Sequence, residues 1–128
     1  MNRVYSTKEI LEKAGSVAAH LSETDQVRFY RQAEEKISAN QKVQRLVDEI
    51  KKYQKESVNL QHFQKHAAYL KNEEKMARLQ AELDAIPVVQ EFKQSQEDVN
   101  DFLQLIVNLI SQQVTDAMND QKENRPLE

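Results

Sequence analysis

Cysteine is absent from the 128 residues. Disulfides, thiolate nucleophiles and any iron–sulfur or zinc site built on this chain's own thiolates are therefore excluded. Tryptophan is also absent, and the single glycine, Gly15, falls inside an apolar helical pattern. No glycine-rich loop can cradle a phosphate. Long apolar runs are missing too, since nothing approaches the roughly 20 residues a helix needs to span a bilayer. Met1-Asn2-Arg3-Val4-Tyr5 lacks the apolar core of a signal peptide, so a cytoplasmic location is expected, without membrane insertion. Proline occurs only at Pro87 and Pro126.

What remains is a helix-forming composition. Hydrophobic residues make up 39% and charged residues 30%, and Gln, Glu, Lys, Ala and Leu are abundant, all favouring helix over sheet. The length fits one domain. The expected architecture is all-α: a bundle of about five helices at residues 1–120, with a disordered tail at 121–128 whose Leu127-Glu128 end reads as tag-derived. The net charge of −3 is unevenly spread. Residues 1–79 carry 15 Lys and Arg against 11 Asp and Glu, whereas residues 80–128 carry 3 against 10. Such a split arises either from solvated helix faces that differ or from complementary surfaces, within the molecule or towards a partner.

Ser6-Thr7-Lys8-Glu9 matches a capping box, after which Ile10, Leu11, Ala14, Val17, Ala18 and Leu21 form one apolar stripe. Helix one should end near Leu21. Ser22-Glu23-Thr24-Asp25 offers caps for a second helix carrying Val27, Tyr30, Ala33 and Ile37 to about Ser38. Asn40 caps a third, whose positions Val43, Leu46, Val47, Ile50, Tyr53, Ser57 and Leu60 step by three and four, as for packing along a neighbouring helix. The stripe loses phase at Gln61-His62-Phe63-Gln64-Lys65-His66, where a turn is expected. The alternative is one helix over 41–85, about 70 Å long. Ala67, Leu70, Met76, Leu79 and Leu83 would line the returning helix of a long antiparallel hairpin.

Pro87 interrupts this pattern. Inside a helix proline costs about 3 kcal/mol, whereas in the first turn its fixed φ fits. It therefore marks the start of a long C-terminal helix. That helix keeps a seam of Phe92, Val99, Leu103, Ile106, Ile110 and Val114, and adds a second strip at Phe102, Leu105 and Leu109. Eight of the twelve residues at 99–110 are large and apolar, too many for a helix covered on one side. Either the chain's own bundle encloses this segment or another chain covers it. Phe102, Leu105 and Leu109 are the candidate interaction residues, in a homo-oligomer such as a dimer or with a different partner.

Catalytic constellations are wanting. His62 and His66 are four apart, but a zinc site needs a third ligand, and His20 lies in another helix. The pairs Glu34/Glu35, Glu73/Glu74 and Glu97/Asp98 are adjacent, so on a helix they diverge by about 100° instead of sharing a proton. No enzymatic activity, metal or cofactor is expected. Lys42, Arg45, Lys51, Lys52 and Lys55 give the third helix a basic face that could contact RNA, but Asp48, Glu49 and Glu56 interleave with them. RNA binding is the weaker reading.

Ala81-Glu82-Leu83-Asp84-Ala85-Ile86-Pro87-Val88-Val89-Gln90-Glu91-Phe92, followed by Ser95-Gln96-Glu97-Asp98-Val99-Asn100-Asp101-Phe102-Leu103-Gln104-Leu105, closely resembles the YlbF/YmcA family of small helical bacterial proteins. Tyr5-Ser6, Phe29, Asn40-Gln41-Lys42-Val43 and Asn59-Leu60-Gln61-His62-Phe63-Gln64-Lys65-His66 support it, so the resemblance covers roughly residues 5–115. It implies a helical hairpin and a protein acting in complexes with YlbF- and YaaT-like partners. It further implies an accessory role to RNase Y in messenger RNA maturation, tied to biofilm formation, competence and sporulation. That assembly is associated with iron–sulfur clusters held by cysteines; with none here, no cofactor is carried over.

Overall fold

The structure, a computed structural model, describes residues 4–123, with side chains through Asp120. Most of the tail expected at 121–128 lies outside the described residues. Five helices and no strand occur among them: α1 Thr7–Leu21, α2 Asp25–Ala39, α3 Gln41–His62, α4 His66–Asp84 and α5 Pro87–Glu123.

Local chemistry explains most of the boundaries. The Ser6 hydroxyl accepts the Glu9 amide at 3.1 Å while the Glu9 carboxylate accepts the Ser6 amide, closing the expected capping box. Asn40 caps α3 by accepting the Val43 amide at 3.0 Å. The expected caps of α2 behave differently. Ser22 and Thr24 turn their hydroxyls backwards, donating to the carbonyls of Ala19 and Leu21, so the amides at the start of α2 receive no side-chain cap. A hydroxyl that serves the end of one helix cannot also cap the next when only three residues separate them.

The turn expected at 61–66 is present. Lys65 donates its amide to the Leu60 carbonyl and Gln64 to that of Gln61, with Gln64 at φ 57°. This pair of bonds is the Schellman closure of a helix, and it makes α3 and α4 an antiparallel hairpin. The hairpin is pinned by a buried polar link. The Asn72 amide donates to the Tyr53 carbonyl at 2.7 Å and to the Ser57 hydroxyl at 2.6 Å, and that hydroxyl donates to the Glu73 carboxylate at 2.9 Å. Every buried polar side-chain atom among the described residues has a partner.

Pro87 opens α5, as its fixed φ predicts. Asp84, at the end of α4, is tied across this corner to Lys93 of α5 and accepts from Gln80. The Lys93 hydrogen bond, then that of Gln80, hold the Asp84 carboxyl below the usual carboxylate range. The first half of α5 runs back along α2: Lys36 meets Glu91 at 3.7 Å, the Tyr30 and Phe92 rings lie 5.4 Å apart, and Gln26 and Asp98 line one groove. The two helix pairs join at a small core of Val43, Leu46 and Ile50 from α3, Ala33 from α2 and Val89 from α5. Of the seam positions on α3, Val43, Leu46, Ile50 and Ser57 are buried, while Val47, Tyr53 and Leu60 are half-buried.

Candidate association surface

Past Ile106, its last half-buried residue, α5 leaves the body. At 1.5 Å per residue its 37 residues span about 55 Å, and α2 accompanies only the first half. Val99, Phe102 and Ile106 are half-buried along the line facing the body, whereas Leu103, Leu105, Val107, Leu109, Ile110, Val114 and Met118 are exposed. Of the three candidate interaction residues, Phe102 therefore sits on the line facing the body, one turn before the helix departs, and Leu105 and Leu109, 66% and 56% exposed, lie on the free strip. The chain's own bundle does not enclose residues 99–110.

A second element is equally uncovered. Helix α1 buries no residue, packs extensively against no other helix, and exposes Ile10, Leu11 and Val17 from its apolar stripe. The stripe was visible in the sequence as a helix-forming pattern; that nothing in the same chain covers it was not. The signal available was Gly15, a helix-weakening residue beside Leu11 and Ala18 that no local turn requires. A methyl group added there would meet nothing within 4 Å.

The consequence is a large surface. The chain exposes 10892 Å², whereas a compact monomer of 14.9 kDa exposes about 7,000 Å². Exposed apolar patches beyond a few hundred Å² mark interaction sites on soluble proteins.

Electrostatics divides the molecule into regions. From Gln94 to Asn119 α5 carries Glu97, Asp98, Asp101 and Asp116 with no lysine or arginine. On the hairpin, Lys52 from α3 and Lys75 and Arg78 from α4 line one shallow groove with Glu49 and Tyr53, and the Lys75 ammonium stands 5.5 Å from the Tyr53 ring centre. His62 ends α3 and His66 begins α4, both exposed, and no group of three or more potential metal ligands exists among the described residues. No helix among them is long and apolar enough to cross a membrane.

Comparison with known proteins places this surface in context. Bacillus subtilis (strain 168) has a protein described as "Uncharacterized protein YmcA" that is 48% identical over 115 residues, covering 90% of this chain and 80% of that protein. A chain from the crystal structure of Bacillus subtilis RicA in complex with RicF superposes with a TM-score of 0.81 over 88% of this chain and 99% of that one. At 18% identity this likeness establishes the helical fold alone. The family described as "Control of competence regulator ComK, YlbF/YmcA" matches residues 10–115, taking in α2, α3 and α4 whole together with most of α1 and α5. With that match and the 48% identical relative, the chain belongs to the Com_YlbF family.

Proposed function

We propose that this protein is a non-enzymatic interaction subunit that acts in a complex with YlbF- or RicF-like and YaaT-like partners. In this reading the complex serves RNase Y as an accessory factor in messenger RNA maturation, and through it competence, biofilm formation and sporulation. The observation that carries the proposal is the free strip at Leu105 and Leu109, an apolar helix surface that the chain itself leaves uncovered. Burying each of these leucines against a partner contributes about 1.5–3 kcal/mol, enough to decide whether a complex forms. Family membership supports the reading, as does the existence of a RicA complex with RicF in a relative of the same fold.

The test is sizing by light scattering of the native chain, alone and with a YlbF-like relative, beside Leu105→Asp. The native chain should form a complex, and the aspartate, placed at a desolvated contact, should weaken it at least a hundredfold. A native chain that stays monomeric and ignores the relative sinks the proposal.

A second reading, direct RNA contact through the basic face of α3, is favoured by one observation: the hairpin brings Lys52 beside Lys75 and Arg78 of α4. Its signature is salt-sensitive RNA retention by the isolated protein that falls when Lys51, Lys52 and Lys55 are neutralised. Absence of retention at low salt eliminates it.

A further inference from the structure

The hairpin carries an open surface of its own, on helices other than the one that bears the Leu105–Leu109 strip. Along one side α3 and α4 leave a continuous shallow groove, because the hollow beside Lys52, Tyr53 and Arg78 and the hollow beside Leu60, Ala68 and Lys71 share Lys75. From Ala68 to Leu79 it runs about 16 Å, three turns of helix. Its register is fixed from below. Asn72, which lines the groove, donates to the Tyr53 carbonyl and the Ser57 hydroxyl and so holds the two walls against each other.

The walls differ in charge. Lys71, Lys75 and Arg78 follow one another on α4 at spacings of four and three, which places them on one face within about 10 Å of helix. Opposite them α3 supplies Glu49, Lys52 and Glu56 at spacings of three and four. Although both signs line the groove, none of its four cations is ion-paired among the described residues, whereas Lys36, Lys42 and Lys93 are each paired across helices elsewhere. The Lys75 ammonium stands over the Tyr53 ring instead. Between the charged edges, half-buried Tyr53, Leu60 and Leu79 make an apolar floor with Ala68.

We infer that this groove is a docking site for an acidic amphipathic helix of a protein partner. A helix laid there antiparallel to α4 completes a three-helix packing: its apolar strip meets the floor, and carboxylates at i, i+3 and i+7 meet Arg78, Lys75 and Lys71. The same geometry disfavours a nucleic-acid strand. A helix can put its carboxylates on the α4 side alone, whereas a strand brings a phosphate with every nucleotide and sets some of them against Glu49 and Glu56. Tyr53 is also the one aromatic ring lining the groove among the described residues, too little for a run of stacked bases. The unpaired cations steer the encounter and set the register, while the floor supplies contact area. This goes beyond the proposed function, since it adds a contact that does not involve α5.

The probe is a fluorescein-labelled helical peptide of about 18 residues, with a Leu/Ala strip and Glu at i, i+3 and i+7 beside it, followed by anisotropy. At low salt the native chain should bind it saturably, and about tenfold more tightly than the same peptide with Gln at those three positions. Lys75→Glu with Arg78→Glu should abolish that preference, and a peptide with Lys at the three positions should bind this variant better than it binds the native chain. Lys8→Glu with Lys13→Glu changes the net charge equally but on α1, and should leave the affinity within about twofold. All four substituted side chains are exposed, so circular dichroism should show unchanged helix content. No saturable binding, equal binding of the Glu and Gln peptides, or a loss that the α1 substitutions reproduce each overturns the site. So does an oligouridylate that displaces the peptide and loses affinity with Lys75→Glu and Arg78→Glu, because the occupant is then RNA. Leu105→Asp separates the two proposals. If it abolishes the complex with a YlbF-like relative while the peptide binds as before, both stand; if it leaves that complex intact, the proposed function fails and the peptide alone decides the groove.

Discussion

Gln64 holds φ at 57°, in the left-handed region that side chains other than glycine enter at a cost of about 1–3 kcal/mol. It does so because the chain must reverse after His62, and the reversal is closed by amides from Gln64 and Lys65 onto carbonyls of the last turn of α3. Glycine at this position removes the strain but gives up more freedom in the unfolded chain. The balance predicts that Gln64→Gly stabilises the protein by about 0.5–1 kcal/mol, read as a higher denaturant midpoint with unchanged slope. A lower midpoint would show that the glutamine side chain supports the turn in a way its exposed position does not indicate. Asn72 shows the opposite relation of residue to fold. Its side chain is buried, yet its amide has two partners, so the polar link costs little and fixes α4 against α3 in one register.

At the scale of elements, α1 is a helix held mainly by its own capping box and its covalent link to α2. An isolated 15-residue helix is marginal in water, and a central glycine weakens it further. Gly15→Ala should therefore strengthen α1 by about 0.5–1 kcal/mol, seen as slower amide exchange across residues 10–18. Unchanged exchange would mean that α1 is already fixed by contacts other than its own. Most element boundaries were legible in the sequence because each had a local cause: the Ser6–Glu9 box, the Asn40 cap, the phase slip before His66 and the single internal proline. The failed caps at Ser22 and Thr24 were not legible, because a hydroxyl can serve either of two adjacent helix ends and only the path of the chain selects one. Asn72 was missed for a related reason. A lone amide among charged residues looks solvent-facing until the partner helix brings Tyr53 and Ser57 to it. The candidate site was half legible: the apolar excess at 99–110 demanded cover on more than one side, but periodicity cannot say whether that cover comes from the same chain.

For the whole molecule, the small core and the large surface have one implication. Only Ala33, Val43, Leu46, Ile50 and Val89 are buried apolar residues among those described, while α1 and the distal half of α5 keep large apolar side chains exposed. A body stapled by so few side chains gains little from its own packing, so in the proposed function an association that covers Leu105 and Leu109 contributes to folding stability as well as to recognition. When folded dimers unfold to separate chains, a tenfold dilution shifts the balance by about 1.4 kcal/mol per dimer, since dissociation is favoured at lower concentration. For a folding unit of two such chains this lowers Tm by about 2–4 °C per tenfold dilution. Leu105→Asp, lacking the association, should melt at a lower temperature that does not depend on concentration. Differential scanning calorimetry across a hundredfold concentration range measures both slopes. A native Tm that stays constant over that range would mean that the body carries its stability alone, and that the Leu105–Leu109 strip contributes to recognition without contributing to the fold.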